Sequence, residues 1–232
     1  MLIYSICYYY TKNKKENIDA HLKIYNQINE RNKIFVINCM IDSHDHTDPK
    51  LDLENYLEKF NIKYEILTSF NWGGTILGLW MTYKHFYDKF VINRNVYLAH
   101  FEEDFQPINT SFYIASKRRI DLFGRRYIYV GETKSGKIYR GGDEGRNQCI
   151  KYKTKLNKYE VWTNGGYYFT NLENLKKIED IIGIFHKGDQ NVKYTRRLDG
   201  IDLGEVGFPT LVHYAGFKFY PLKRGNNFIH HK

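Results

Sequence analysis

The stretch Val96-Tyr97-Leu98-Ala99-His100-Phe101-Glu102-Glu103-Asp104-Phe105 decides how this chain is read. An apolar run of the kind that forms a buried strand ends in three consecutive carboxylates. Like charges at a strand end repel one another, so a cation is expected beside them, and hard divalent ions prefer oxygen ligands. An isolated acidic triplet is more often a solvated turn. Its place in the chain decides between the two readings.

Upstream of the triplet, strand and helix patterns alternate. Leu2–Tyr9 reads as a strand, and Lys15–Asn32 carries Ile18, Leu22, Tyr25 and Ile28 at helical spacing. Lys33–Met40 is a continuous apolar run, the pattern of a strand buried on both faces. Asp42–Pro49 reads as a polar loop, Leu51–Phe60 as a helix and Tyr64–Leu67 as a short strand. Thr75–Phe90 is helical after a Trp-Gly-Gly turn, and Asn95–Phe101 is the strand that leads to the triplet. This β-α-β-α-β-α-β order predicts an α/β fold with a mostly parallel, doubly wound sheet. Such sheets bind ligands beyond the carboxyl ends of their strands. The triplet lies at such an end, and so does Ser43–Asp48.

The second half is less regular. Ser111–Leu122 reads as a helix, Tyr127–Gly131 as a strand and Lys134–Asn147 as a Gly-rich charged loop, whose Arg140–Arg146 segment could close over a ligand. Val161–Thr170 reads as one strand containing Gly165-Gly166, and Leu172–Phe185 as a helix capped by Asn171. Asp199–Tyr214 holds three more carboxylates ahead of an apolar run, and Lys218–Pro221 reads as the final strand. His213 and His230-His231 are possible metal or phosphate contacts, although the terminal pair reads first as a frayed tail. Without repeats or a low-complexity linker, the chain is expected to be one domain, with a regular half over residues 1–107 and a less regular half over 108–232.

Composition narrows the function. The 232 residues suffice for a sizeable core, and 42% hydrophobic with 17% aromatic residues excludes a disordered chain. The 21 tyrosines accompany many Asn, Lys and Ile, a bias that an A+T-rich genome produces by itself, so they are not read as a binding surface. The net charge of +9 comes from scattered residues with clusters at Lys12–Lys15, Lys117–Arg119, Arg125-Arg126 and Arg196-Arg197. It suits a phosphate-bearing substrate or peripheral contact with an anionic membrane. No nucleic-acid partner is expected, because no basic arm, zinc finger or RNA-binding sheet signature accompanies the charge. Cys7, Cys39 and Cys149 lie far apart and read as free thiols in a reducing, cytoplasmic setting. No apolar run approaches a membrane span, and Met1–Tyr10 lacks a basic leader or cleavage site, so a soluble protein is expected. His44-Asp45-His46 is weak evidence for zinc without further ligands at the usual spacing. Trp72-Gly73-Gly74 lacks the Gly-Lys-Ser/Thr ending of a P-loop.

Taken in order, these pieces resemble a GT-A type nucleotide-sugar glycosyltransferase, closest in layout to the family-two-like inverting enzymes. The matching segments are Tyr8-Tyr9-Tyr10-Thr11 after the first strand, Asp42–Asp48 after the second, and Asn71-Trp72-Gly73-Gly74 before the third helix. Glu102-Glu103-Asp104 takes the place of the DxD motif. Asn164-Gly165-Gly166-Tyr167 follows on the acceptor side, and then Glu205 ahead of Gly216-Phe217-Lys218. The resemblance spans nearly the whole chain. It departs in having Glu-Glu-Asp instead of Asp-x-Asp, and Gly204-Glu205 where the family has a Glu-Asp pair.

The resemblance implies transfer of a sugar from a nucleoside-diphosphate sugar to a hydroxyl of a glycan, lipid or protein. It implies a Mn2+ or Mg2+ ion that stabilises the departing diphosphate. Such an ion takes one or two carboxylates, with phosphate and water completing its shell. Asp104 is the expected direct ligand, Glu102 the helper toward the ribose or a metal-bound water, and Glu103 points to the other strand face if the strand geometry persists. Tyr8, Tyr10, Thr11, Asp45, Asp48, Asn71 and Gly73 are expected to line the nucleotide pocket. For Asp45 and Asp48 turn chemistry is the alternative. An inverting reaction needs a base for the acceptor proton. Glu205 is the candidate, with Asp199 and Asp202 nearby, and a charge cluster at a helix N-terminus is the other reading of this group. Trp162 and Tyr167–Phe169 are suitable platforms for a sugar face, although such residues more often pack in a core. A sugar nucleotidyltransferase is disfavoured because no Gly-rich signature follows the first strand. A non-catalytic basic binding module is the remaining alternative.

Overall fold

The computed structural model describes residues 1–10, 15–41, 48–69, 74–90, 95–123, 127–130, 133–134, 162–163, 166–182, 197–198, 201–202, 212, 215–221 and 228–230. Its elements begin with β1 (Leu2–Tyr9), α1 (Lys15–Gln27), β2 (Lys33–Met40), α2 (Pro49–Leu57), β3 (Tyr64–Ser69), α3 (Gly74–Phe90) and β4 (Tyr97–Glu102). There follow β5 (Phe105–Pro107), α4 (Ser111–Phe123), β6 (Tyr127–Val130), β7 (Thr133–Lys134), β8 (Trp162–Thr163), β9 (Tyr167–Asn171) and α5 (Leu172–Ile182). The last are β10 (Arg197–Leu198), β11 (Ile201–Asp202), β12 (Lys218–Pro221) and β13 (Phe228–His230).

Seven strands form the main sheet in the order β12-β6-β9-β4-β1-β2-β3. The block β4-β1-β2-β3 is parallel throughout. β9 runs antiparallel to both β4 and β6, and β12 is parallel to β6. Three two-stranded pairs stand apart from this sheet: β5 with β13, β7 with β8 and β10 with β11. The α/β class with a mostly parallel central sheet is therefore the observed one.

Both faces of the sheet are covered, which is why β1 and β2 read as unbroken apolar runs. On one face, Ile18, Leu22 and Tyr25 of α1, Leu53 and Leu57 of α2, and Phe112 and Ile120 of α4 pack on Tyr4, Ile6, Phe35, Ile37 and Phe101. On the other, Leu79, Tyr83 and Phe86 of α3 and Leu175 and Ile178 of α5 pack on Ile3, Val36, Leu98 and Tyr168. Tyr83 donates to the buried Glu179 carboxylate at 2.6 Å, and Lys84 also bonds that carboxylate, which clasps α3 to α5.

Under α3 lies a polar patch within this second core. Asn38 Nδ2 donates to Ser5 Oγ at 2.7 Å and to Thr82 Oγ1 at 2.9 Å, and His100 Nδ1 lies 2.9 Å from Ser5 Oγ. All four side chains are fully buried. Gly78 allows this close packing, since a Cβ there would meet His100 Cε1 at 3.0 Å and Asn38 Cβ at 3.3 Å.

Helix ends follow local chemistry. α2 starts at Pro49, ahead of the expected Leu51, because Asp48 accepts from the Lys50 and Leu51 amides and Pro49 suits a first helical position. Asn171 caps α5 by accepting from Asn174 N–H at 2.8 Å. α1 ends at Gln27, short of the expected Asn32. The Lys33 ammonium explains this: it donates to the carbonyls of Tyr25 at 2.7 Å and Ile28 at 2.8 Å, satisfying acceptors that a helix end leaves open.

Two further expectations are corrected. Val161–Thr170 is not one strand: β8 and β9 flank Gly165-Gly166 and belong to different sheets. Gly166 packs closely beside β9, where a Cβ would lie 2.4 Å from Phe105 Cδ2. Lys218–Pro221 is not the final strand, since β13 follows and pairs with β5. Phe105 is fully packed and its ring has no route out of the way. Gly166→Ala is expected to destabilise the protein by about 1–3 kcal/mol, read as a lowered urea midpoint with an unchanged slope.

Candidate functional site

The chain leaves β1 in one direction and then reverses. α1 and α2 carry it outward over one face to β2 and β3. α3 brings it back over the other face and sets β4 on the far side of β1. The reversal falls between β1 and β4, and open α/β sheets bind ligands in the crevice at that point, beyond the carboxyl ends. Tyr9 and Tyr10 emerge there from β1, and Glu102, Glu103 and Asp104 from β4. Tyr8, expected to line a nucleotide pocket, is instead fully buried in the core, because its ring packs into the face that α1 and α2 cover.

Glu103 is not a crevice ligand. It is 3% exposed and tied at three points. Its amide donates to the Cys7 carbonyl at 3.1 Å, and its Oε2 accepts from the Tyr9 amide at 3.2 Å. Its carbonyl lies 3.1 Å from His21 Nε2, while His21 Nδ1 lies 2.9 Å from the Tyr4 hydroxyl. A carbonyl only accepts, so Nε2 carries the ring proton and Tyr4 donates to Nδ1. Sequence reasoning missed His21, although it sits on the apolar stripe of Ile18, Leu22 and Tyr25.

Glu102 and Asp104 flank this anchored residue and are both half-buried. The Glu102 amide is held by the Gly166 carbonyl at 3.0 Å. The negative field is visible on its neighbours. Burial first, and then the Glu102 and Glu103 charges, push the Cys7 thiol well up. Burial and the Glu103 charge push up the Tyr8 phenol in the same way.

The other expected residues are dispersed. Tyr10 bonds Asp52 at 3.3 Å, and Lys15 bonds the same carboxylate at 2.7 Å, so the first turn of α2 joins this end of β1. Asp48 caps α2. Asp202 stands on β11 opposite Arg197 of β10. Thr11, Asp45, Asn71, Gly73, Asp199 and Glu205 lie outside the described residues, as do Cys149, His213 and the Arg140–Arg146 segment. Tyr167, Tyr168 and Phe169 are fully buried core residues and not sugar platforms. His230 belongs to β13, where the register sets it opposite Phe105, the residue after Asp104.

The fold is shared with a mannosyltransferase of known structure. A mannosyltransferase from Pyrobaculum calidifontis, solved with GDP-Man and Mn2+, matches with a TM-score of 0.53 and 11% identity over 96% of this chain and 54% of that one. This chain thus spans about half the length of that enzyme. S. aureus TarS, as residues 1–349, gives 0.47 and 11% over 98% of this chain and 59% of that one. Mouse xyloside xylosyltransferase 1 in its apo form gives 0.45 and 9% over 94% and 84%. These two lie too far away to add weight. No protein-family model and no curated protein matches the sequence. At such identities the likeness shows the fold alone.

The donor set can be tested for a divalent ion. Among the described residues no three His, Cys, Asp or Glu side chains converge as a closed metal cage. Glu102 and Asp104 are half-buried carboxylates, and oxygen donors of this kind fit Mg2+ or Mn2+ bound jointly with phosphate oxygens and water. It does not fit a structural zinc. Among the described residues no helix is long and apolar enough to cross a membrane.

The buried imidazole gives the site a pH signature. Burial lowers the His21 pKa to about 4, with the backbone hydrogen bonds opposing. Between that value and its ordinary range the unfolded chain takes up a proton that the folded protein refuses. This stability is complete above about pH 6.5 and declines as the pH falls, by about 1.4 kcal/mol per unit down to about pH 4. Denaturant titrations from pH 7 to 4.5 are expected to show this slope in the native protein and to lose it in His21→Gln.

Proposed function

We propose that this chain is a glycosyltransferase that moves a sugar from a nucleoside-diphosphate sugar to a hydroxyl acceptor on a glycan, lipid or protein. The observation that carries this reading is the acidic turn at the reversal between β1 and β4, where an open α/β sheet accepts its ligand. The shared fold with a mannosyltransferase solved with GDP-Man and Mn2+ supports it.

In this reading Asp104 is the direct ligand of a divalent cation and Glu102 its helper. The cation, when bound, offsets the charge of the departing diphosphate. Tyr10, Thr11, Asp45, Asp48, Asn71 and Gly73 bound the nucleotide side, with the buried Tyr8 left out of it and Asp48 acting through the start of α2. Glu205 removes the acceptor proton, with Asp202 the neighbouring carboxylate, and the reaction inverts the anomeric centre. In the same reading His230, whose backbone pairs opposite Phe105, is a further metal or phosphate contact. A peripheral membrane contact through the basic clusters is compatible with a lipid-borne acceptor.

Mn2+ together with GDP or UDP at a hundredfold excess over Kd is expected to raise the Tm by about 5–10 °C, and Asp104→Ala to abolish the rise. The absence of a shift with any nucleoside diphosphate in the native protein would sink the proposal. His230→Ala is expected to raise the Mn2+ concentration for half-maximal nucleotide-sugar hydrolysis by roughly tenfold. An unchanged metal requirement would remove His230 from the site.

A further inference from the structure

The acidic turn is held from beneath by a side chain far from it in sequence. β4 ends at Glu102 and β5 begins at Phe105, so the Glu103 carbonyl falls in the break between two strands. A buried carbonyl in such a break is costly unless something donates to it. His21 Nε2 supplies the donor at 3.1 Å from α1. The imidazole is itself fixed. The Tyr4 hydroxyl holds Nδ1 at 2.9 Å, and the ring leans on Phe101 with centroids 5.3 Å apart. Tyr4 in turn stacks between Phe101 at 4.8 Å and Phe35 at 5.6 Å. Every member of this chain of contacts is fully buried.

We infer that His21 is a positioning residue for the metal site: it fixes the Glu103 carbonyl, and thereby the spacing of Glu102 and Asp104 on either side of it. His21 engages the backbone of Glu103 and of Glu102, so the effect runs through the turn backbone. Tyr4 selects the tautomer that can donate. The inference rests on the reading of the turn as a cation site, and its test separates the two.

Three variants isolate the hydrogen bond from packing. His21→Met fills similar space without a donor. His21→Gln keeps an amide that can donate to the carbonyl and accept from Tyr4. Tyr4→Phe removes the hydroxyl that sets the tautomer. Hydrogen exchange of the peptide covering residues 101–106, at matched global stability, reports the turn without any metal. It is expected to quicken about tenfold in His21→Met, less in Tyr4→Phe, and to stay near native in His21→Gln. Free Mn2+ measured by electron paramagnetic resonance, with GDP and with UDP, reports the site. The Mn2+ Kd is expected to rise about tenfold in His21→Met and to be restored in His21→Gln. If exchange at 101–106 is unaltered in His21→Met, the inference is overturned whatever the metal does. It is also overturned if the native protein and His21→Met bind Mn2+ equally. If exchange quickens as expected but the native protein binds no Mn2+ with either nucleotide, His21 still fixes the turn and the cation reading of Glu102 and Asp104 is what fails.

Discussion

The cross-link that Glu103 makes between the ends of β1 and β4 is the constraint on which the rest of the crevice depends. Parallel neighbours are held together by slanted backbone bonds only as far as both remain strands. Here β1 continues to Tyr9 along β2, while β4 stops pairing at Glu102. Past that point the two strands would be free to splay. The Glu103 amide and carboxylate continue the junction by one more residue, binding Cys7 and Tyr9 in place of a ladder. A buried carboxylate is expensive to desolvate, and of the three acids in a row only Glu103 is buried, while Glu102 and Asp104 stay half-buried.

The second half of the chain is fastened to the same turn. β9 lies antiparallel beside β4, and the Gly166 carbonyl holds the Glu102 amide. Phe105 fills the space that Gly166 leaves and meets Phe228 in a tilted pair at 4.8 Å, and Phe228 meets Tyr167 at 4.9 Å. Phe101 joins this aromatic group through Tyr167 at 4.8 Å. The acidic turn is therefore clamped on one side by hydrogen bonds to β1 and α1, and on the other by ring packing that reaches β13. Polar contacts set its orientation and apolar ones its depth.

Much of this fold is written in local pattern. Fully buried strands read as continuous apolar runs, which is why β1 and β2 have the boundaries the sequence suggests. Asp48-Pro49 and Asn171 announce helix starts through cap chemistry that acts over three residues. What escaped was non-local. β13 is three residues long and exists only because β5 is there to pair with it. The need for glycine at position 166 depends on Phe105, about sixty residues earlier in the chain. At the site, strand alternation alone separates Glu103 from Glu102, and the structure buries Glu103 accordingly. His21 was legible in principle, as a polar residue on an otherwise apolar helix stripe. Its partner, a main-chain carbonyl on another strand, leaves no trace in sequence.

The polar patch under α3 bears on how such a sheet finds its pairing. Parallel strands joined by long crossovers meet late, and their apolar faces tolerate many alignments. Asn38, Ser5 and His100 come from three adjacent strands and satisfy one another, with Thr82, only in the native alignment. Sliding β2 by one residue would turn Asn38 toward the opposite core and strand its amide among rings. Sliding it by two would keep the face and still separate Asn38 from Ser5. The patch thus acts as a checkpoint during assembly, rejecting by desolvation the misaligned sheets that hydrophobicity alone would accept.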